Sequence, residues 1–234
     1  MKFTITEFDS LPSTNSYLKE RAADFPIGQV ICAKEQSSGR GRLGRQFTSP
    51  ESGLYFSVLL RPKSIEETLF LPIIAGIAVA RGIQTDTGVL PLLKWPNDVL
   101  LDGKKICGML AEGVADGRVV LGIGINIGAS RTYFDKLNLP HVSSILAQTG
   151  KKPERLNLLD AVLSELDSLL DKPHEEVLTI YRGLCLTLGQ EITASNGICG
   201  VAKDISQKGE LIVETTEKKM VVLNSGEVSI SGMY

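Results

Sequence analysis

The sequence predicts an α/β (α+β) chain in which helices flank antiparallel hairpins and a small β-rich unit ends the chain. Three observations carry that expectation. Apolar residues recur at helical spacing over residues 155–170, at Leu156, Leu159, Leu163, Leu166 and Leu170. Two Asp-Gly pairs, Asp102-Gly103 and Asp116-Gly117, each stand between apolar runs, a strong hairpin signal. From Gly189 onward, short β-rich runs are punctuated by Asn196-Gly197, Lys208-Gly209 and Ser225-Gly226. About five short strands over roughly fifty residues suggest a small barrel.

The elements follow in order. Residues 13–23 read as a short helix with a Ser/Thr/Asn start. Residues 30–34 and 53–60 read as strands, and between them residues 36–50 form a Gly/Arg/Ser-rich loop with little to pack. Residues 66–85 read as a largely buried helix, and 90–94 as a strand leading into Trp95-Pro96-Asn97-Asp98. Residues 98–127 are expected to form three consecutive antiparallel strands, and 175–182 a further helix. A boundary near residues 183–189 divides the chain into 1–183 and 184–234. No repeat or low-complexity tract is visible.

Composition bounds the function. Hydrophobic residues make up 43% of the 234 and charged residues 22%, enough to bury a sizeable core, which sets aside disordered and fibrous classes. The net charge of −2 gives no global reason to bind nucleic acid. Cys32, Cys107, Cys185 and Cys199 show no CxxC spacing and read as buried, reduced thiols. With His141 and His174 alone, a His-based metal site or a Ser/His/Asp triad is not expected. Residues 1–10 lack the apolar region of a signal peptide. The longest apolar stretch, residues 69–80, is shorter than the roughly 20 residues a bilayer needs, so a soluble cytoplasmic protein is expected.

Four segments carry chemistry. Gly39-Arg40-Gly41-Arg42-Leu43-Gly44-Arg45 concentrates arginines among glycines in an otherwise acidic chain. Glycines let backbone approach a ligand, and arginines offer fixed forks to phosphate or carboxylate. A solvated basic loop would have the same composition. Lys94-Trp95-Pro96-Asn97-Asp98 holds the only tryptophan and brings Lys94, Asn97 and Asp98 together at a strand end, although an ordinary turn around an anchoring Trp reads the same way. Lys104 to Leu110 starts a strand after a tight turn and places Lys105 rigidly, as a catalytic cation must be, or as edge protection. Gly122-Ile123-Gly124-Ile125-Asn126 lacks a dinucleotide fingerprint's third glycine and lies within a strand. Its glycines are expected to leave space for a flat ligand on the sheet.

Taken together, these segments resemble the catalytic core of bacterial biotin–protein ligases. That family's pattern is STN, EQxxGRGRxGRxW, KWPND, KxxGIL and GxGxN. Here it stands as Ser13-Thr14-Asn15, Glu35 to Phe47, Lys94 to Asp98, Lys105 to Leu110 and Gly122 to Asn126. The order is right, and the tail resembles the family's C-terminal SH3-like domain. Two positions depart, with Phe47 for the usual Trp and Met109 for the usual Ile.

The resemblance implies a mixed, largely antiparallel sheet with flanking helices plus a small C-terminal SH3-like β-barrel. It implies ATP-dependent activation of biotin to biotinyl-5′-AMP, then transfer to a lysine of a carrier protein. Biotin contacts map onto Ser13, Thr14, Asn15, Gln36, Gly39 and Arg40 to Arg42, with Gly108, Gly122 and Gly124 beside the rings and valeryl chain. Lys105 maps onto the catalytic lysine, with Asp98 and Arg42 as further catalytic groups. Arg40, Arg42, Arg45, Lys94 and Asn97 would serve the phosphates, Asp98 would hold or organise Mg²⁺, Asn126 would pair with adenine and Phe47 would stack on it. The arginine loop is expected to order over the adenylate and, being short of apolar anchors, to be disordered without it. The expected acceptor is a biotin carboxyl carrier domain of acetyl-CoA carboxylase or pyruvate carboxylase. Since Ser13 falls at the start, no N-terminal DNA-binding domain and no DNA binding are expected, nor a membrane. A homodimer through sheet edges fits the family.

The nearest alternative is a lipoate or octanoate–protein ligase of the same fold, whose Gly-rich loop is followed by a His that residues 36–50 lack. A non-enzymatic biotin or nucleic-acid binder is the alternative from another class. It would have no need of Lys94, Asp98 and Lys105 together.

Overall fold

Both Asp-Gly pairs sit at turns between antiparallel strands, with backbone in the left-handed region at Asp102 (φ 48°), Gly103 (φ 68°), Asp116 (φ 70°) and Gly117 (φ 78°). Asp and Gly adopt that region at low cost. They join β5 (Asp98–Leu101), β6 (Lys104–Gly113) and β7 (Val119–Ile125) in the computed structural model, which describes residues 1–224 and 226–231. With β1 (Thr4–Leu11), β2 (Gln29–Gln36), β3 (Leu54–Leu60) and β4 (Leu92–Lys94), these strands form a seven-stranded sheet in the order β1-β2-β3-β7-β6-β5-β4. Only β1 and β2 run parallel, so the sheet is mixed and largely antiparallel.

β1 is absent from the sequence reading, for a physical reason. It is an edge strand whose residues are exposed except Phe8 and Leu11, so no apolar alternation marks it. Its pairing with β2 is what makes it a strand.

The sheet's two faces hold different chemistry, because successive strand side chains point to opposite sides. Leu54, Phe56, Val58, Val119, Leu121, Ile123 and Ile125 face a core shared with helices α2 (Ile65–Thr87) and α5 (Arg155–Leu170). By length and composition α2 is apolar enough to cross a membrane over Glu67–Thr87, but most of that stretch is buried inside the protein. The other face carries helix α1 (Thr14–Glu20), whose Leu18 packs with Ile31, Ala33, Leu59 and Val120. Tyr55, Ser57, Gly122 and Gly124 share that second side, by the alternation that puts their neighbours in the core.

Short helices α3 (Arg131–Lys136) and α4 (Ile145–Thr149) follow β7, and α6 (His174–Leu184) precedes the tail. The tail is a five-stranded antiparallel sheet of β8 (Glu191–Ala194), β9 (Cys199–Ile205), β10 (Leu211–Thr215), β11 (Met220–Leu223) and β12 (Val228–Ile230). The turn expected at Ser225-Gly226 lies partly outside the described residues, at Ser225. Ile192, Ala202, Leu211 and Val228 belong to the same buried cluster as α2 and α5, so the tail completes the main core. One cysteine expectation is corrected: Cys32, Cys107 and Cys185 are buried, but Cys199 is exposed. It lies on β9, whose alternation turns it to solvent.

Candidate functional site

A cleft of about 470 Å³ opens on the α1 side of the sheet, within the size range of small-molecule sites. Its lining gathers Ser13, Thr14, Asn15, Gln36, Arg40, Gly41, Arg42, Arg45, Phe47, Lys94, Asn97, Asp98, Lys105, Gly108, Gly122, Gly124 and Asn126. Every residue given a catalytic or binding role in the sequence analysis is there except Gly39. That glycine lies beneath the lining, where an added Cβ would overlap Phe47 O and Ser49 Oγ. Arg40, Arg42, Arg45, Lys94 and Lys105 face two carboxylates, Asp98 and Glu227. The excess of cations suits a polyanion.

The hydroxyl and amide row begins at α1. Ser13 caps the helix, its side chain accepting from Ser16 N. Thr14 donates its backbone N–H to Gln36 Oε1 at 2.8 Å, and Gln36 Nε2 donates to Ser49 Oγ at 2.9 Å. Behind them lies Ser57, fully buried, whose hydroxyl sits 2.8 Å from Thr14 Oγ1 and 2.6 Å from Asn15 Oδ1. Motif reading missed Ser57, because a serine among the apolar residues of β3 carries no signal of its own.

Register explains the glycines and corrects one expectation. Ser57, Gly122 and Leu110 stand side by side across β3, β7 and β6, as do Tyr55, Gly124 and Gly108. The space above Gly122 is filled by Asn15 rather than left for a ligand, since an added Cβ would overlap the Asn15 amide. Over Gly124 and Gly108 lies the Phe47 ring, 2.6 and 3.1 Å from where their Cβ atoms would stand. Bare backbone on two adjacent strands lets an aromatic ring approach the sheet this closely. Gly122→Ala is therefore expected to displace Asn15 while the strand persists. Calorimetric titration with biotin, the ligand that the sequence resemblance implies, should show affinity lost by about tenfold or more, the scale of a broken buried hydrogen bond. Unchanged affinity would show that Asn15 is not a ligand contact.

The arginine loop is a small hairpin. Gly41 N donates to Arg45 O (2.7 Å) and Phe47 N to Gly39 O (2.9 Å). Its composition marked it as short of apolar anchors, and each arginine has instead a polar partner from a different part of the chain. Arg40 forks onto Glu112 of β6, with Nη1 3.2 Å from Oε2 and Nη2 3.1 Å from Oε1. Arg42 donates to Asn97 Oδ1 at 3.0 Å, and Arg45 pairs with Glu227 at 2.6 Å, just before β12. Glu112 and Glu227 lie outside the five motifs, so sequence spacing gave no pointer to them.

Lys105 Nζ lies 2.7 Å from Asp98 Oδ1, with both side chains largely shielded from water. Lys105 is held on both sides of its backbone, its N–H donating to His141 O and its carbonyl accepting from Ser143 N, each at 2.9 Å. Lys94 is buried, and desolvation pushes its ammonium pKa below the usual value despite Asp98 nearby. His141, also at the cleft, is likewise pushed down, by burial first and then by Lys105 and Lys94. Asn126 donates to Ser143 O at 3.0 Å, and its buried Oδ1 finds no partner among the described residues. Such an atom needs a donor to offset its desolvation.

Trp95 serves neither cleft wall by charge. Its indole N–H donates to Gly209 O at 2.9 Å and its backbone N–H to Thr187 Oγ1 at 3.0 Å. The strand-end segment bearing Lys94, Asn97 and Asp98 is thereby fastened to the tail.

Among the described residues no three His, Cys, Asp or Glu side chains cluster to hold a metal ion. The carboxylates available are those of Asp98 and Glu227. That donor set suits Mg²⁺ brought by a triphosphate, which needs only one or two protein carboxylates.

Comparison with known proteins gives the same outline. Residues 7–130 match the biotin/lipoate A/B protein ligase family, and residues 187–231 match the biotin protein ligase C terminal domain. The chain is 32% identical over 228 residues to the bifunctional ligase/repressor BirA of Bacillus subtilis, covering 89% of this chain and 69% of that protein. It is 32% identical over 231 residues to the biotin–acetyl-CoA-carboxylase ligase of Mycobacterium tuberculosis, covering 92% and 85%. The biotin protein ligase of Aquifex aeolicus in complex with biotin and ATP superposes with a TM-score of 0.86 at 33% identity, covering 97% of each chain.

Proposed function

Because the chain belongs to the biotin/lipoate A/B protein ligase family, it activates biotin with ATP and passes it to a carrier protein, and we propose how its cleft does so. The observation that carries the mechanism is one cleft joining a buried hydroxyl and amide row to a cluster of five cations. Ser13, Thr14, Asn15 and Gln36 pair with the ureido carbonyl and N–H groups. A lipoyl ring has no such groups to pair, and the relatives named above are biotin ligases.

In the first half-reaction the biotin carboxylate attacks the α-phosphate of ATP and pyrophosphate leaves. Two anions must meet, so a fixed cation between them lowers the barrier. Lys105 fills that role by exchanging Asp98 for the reacting oxygens. Arg42, Arg45 and Lys94 hold the phosphates, Asn97 orients Arg42, and the unpaired Asn126 Oδ1 accepts from the adenine amino group. Mg²⁺, with Asp98 as its protein ligand, would neutralise part of the triphosphate charge. In the second half-reaction the acceptor lysine amine attacks the mixed anhydride, AMP leaves, and Asp98 takes the amine proton. Mixing the protein with biotin, ATP and Mg²⁺ should release pyrophosphate, and lipoate should not substitute. Release with lipoate alone would overturn the biotin reading.

The partner is the biotin carboxyl carrier of acetyl-CoA carboxylase. We extend this to the carrier domain of pyruvate carboxylase, to a cytoplasmic setting and to pairing of two copies along sheet edges. Specific DNA binding is not expected of a chain with net charge −2.

Arg42 also closes the site. A mixed anhydride hydrolyses in water, so a loop that stays shut is useful. Arg42→Gly removes the tie to Asn97 and frees the backbone. The variant is expected to form biotinyl-adenylate and leak it, labelling a bystander lysine-rich protein on a biotin blot. An unlabelled bystander alongside normal adenylate formation would show that Arg42 is no latch.

A further inference from the structure

Glu112 lies near the end of β6, outside every motif, and the polar side chains of three residues converge on it. Its Oε2 accepts from Asn15 Nδ2 at 3.0 Å and from Arg40 Nη1 at 3.2 Å. Its Oε1 accepts from Lys19 Nζ at 3.2 Å and lies 3.1 Å from Arg40 Nη2. The Arg40 contact is a two-pronged fork, the strongest geometry a guanidinium and a carboxylate make. Glu112 is only 13% exposed, although Lys19 and Arg40 reach it from solvent. Burial alone would raise its carboxyl pKa, but Asn15, Lys19 and Arg40 outweigh that and hold it below the ordinary glutamate value.

The arrangement fixes an orientation. An asparagine amide can turn over, exchanging its donor and acceptor ends at little steric cost. Here Asn15 Nδ2 spends its two hydrogens on Glu112 and on Leu110 O (3.3 Å), while Oδ1 lies 2.6 Å from the Ser57 hydroxyl. Turning the amide would place Oδ1 against the Glu112 carboxylate and Leu110 O, three acceptors together. Asn15 therefore meets a ligand with its oxygen and not its nitrogen. The same carboxylate holds Arg40 at the start of the loop, so α1 and the loop are registered on one group of the sheet.

We propose that Glu112 is a positioning residue of the biotin subsite: through Asn15 and Arg40 it presets the polarity with which the cleft meets the ureido group. This rests on the ligase reading given above. It also assigns Arg40 to the headgroup end of the site rather than to the triphosphate.

Glu112→Gln keeps the side chain's shape but removes the charge and one acceptor. It should raise the biotin KM and the calorimetric biotin Kd by about 10- to 100-fold, the range for a lost hydrogen bond to a charged group. The ATP KM and kcat at saturating biotin should stay near those of the wild type, with only a modest fall in melting temperature from the lost ion pairs. Glu112→Asp should recover part of the loss. In an Asn15→Ala background, Glu112→Gln should cost clearly less, because coupled residues are not additive. Unchanged biotin affinity overturns the proposal. So does a parallel rise in both KM values with a much lower melting temperature, or full additivity with Asn15→Ala. A wild-type protein that bound no biotin would instead overturn the ligase reading itself.

Discussion

Lys105→Ala is expected to lower the rate of biotinyl-adenylate formation by about 10²–10³, the typical loss when one preorganised charge contact to a transition state is removed. The change should leave biotin affinity and fold largely intact. Lys105 is held by backbone bonds to His141 and Ser143, which alanine retains. Its side chain lies over Gly108 and against Asp98 rather than among core side chains. Asp98 loses the cation 2.7 Å away, so a modest drop in melting temperature should accompany the kinetic loss. Lys105→Arg keeps the charge but spreads it over a planar fork, and should recover only part of the rate. Pyrophosphate exchange with biotin and ATP reads these rates directly. A Lys105→Ala exchange rate within threefold of wild type would remove Lys105 from the chemistry.

Trp95→Ala is expected to destabilise the protein by about 3–5 kcal/mol, the usual cost of truncating a buried aromatic side chain. For a chain of this size that corresponds to a melting temperature lower by roughly 10 °C. The reason lies in where the ring sits. Trp95 is 3% exposed, belongs to the main core, and ties the strand-end segment to Gly209 of the tail. Trp95→Phe keeps most of the ring but leaves Gly209 O without its donor, and should cost about 1–3 kcal/mol. Removing residues 189–234 would expose the same core, so it should abolish folding or catalysis, despite the distance in sequence. Thermal unfolding followed by fluorescence or calorimetry tests all three. A Trp95→Ala protein melting within about 2 °C of wild type would show that the ring is not a structural bolt.

Much of this molecule is written locally. Helix α1 begins at Ser13 because a serine there can cap it. The Asp-Gly pairs turn the chain because those residues accept left-handed backbone. Helix α5 follows its leucine spacing, with Leu159, Leu163 and Leu166 buried, although Leu156, counted in the same spacing, is exposed at the helix start. Phe47, Lys105 and Asn126 could be placed in one site because the five motifs stand in a known order, and the cleft gathers them.

What the sequence did not reveal depends on neighbours distant along the chain. β1 is a strand only because β2 lies beside it. Gly122 reads as space for a ligand until the register sets Asn15 above it, between Ser57 and Leu110. Glu112 and Glu227 carry no motif; they become parts of the site when folding brings Arg40 and Arg45 to them across 72 residues in the first case. Local propensity and motif order therefore determined the elements and the chemistry of this protein. Only the tertiary structure decided which carboxylate answers each arginine and which way Asn15 points, since hydrogen bonds and ion pairs act over about 3 Å and sequence separation carries no such distance.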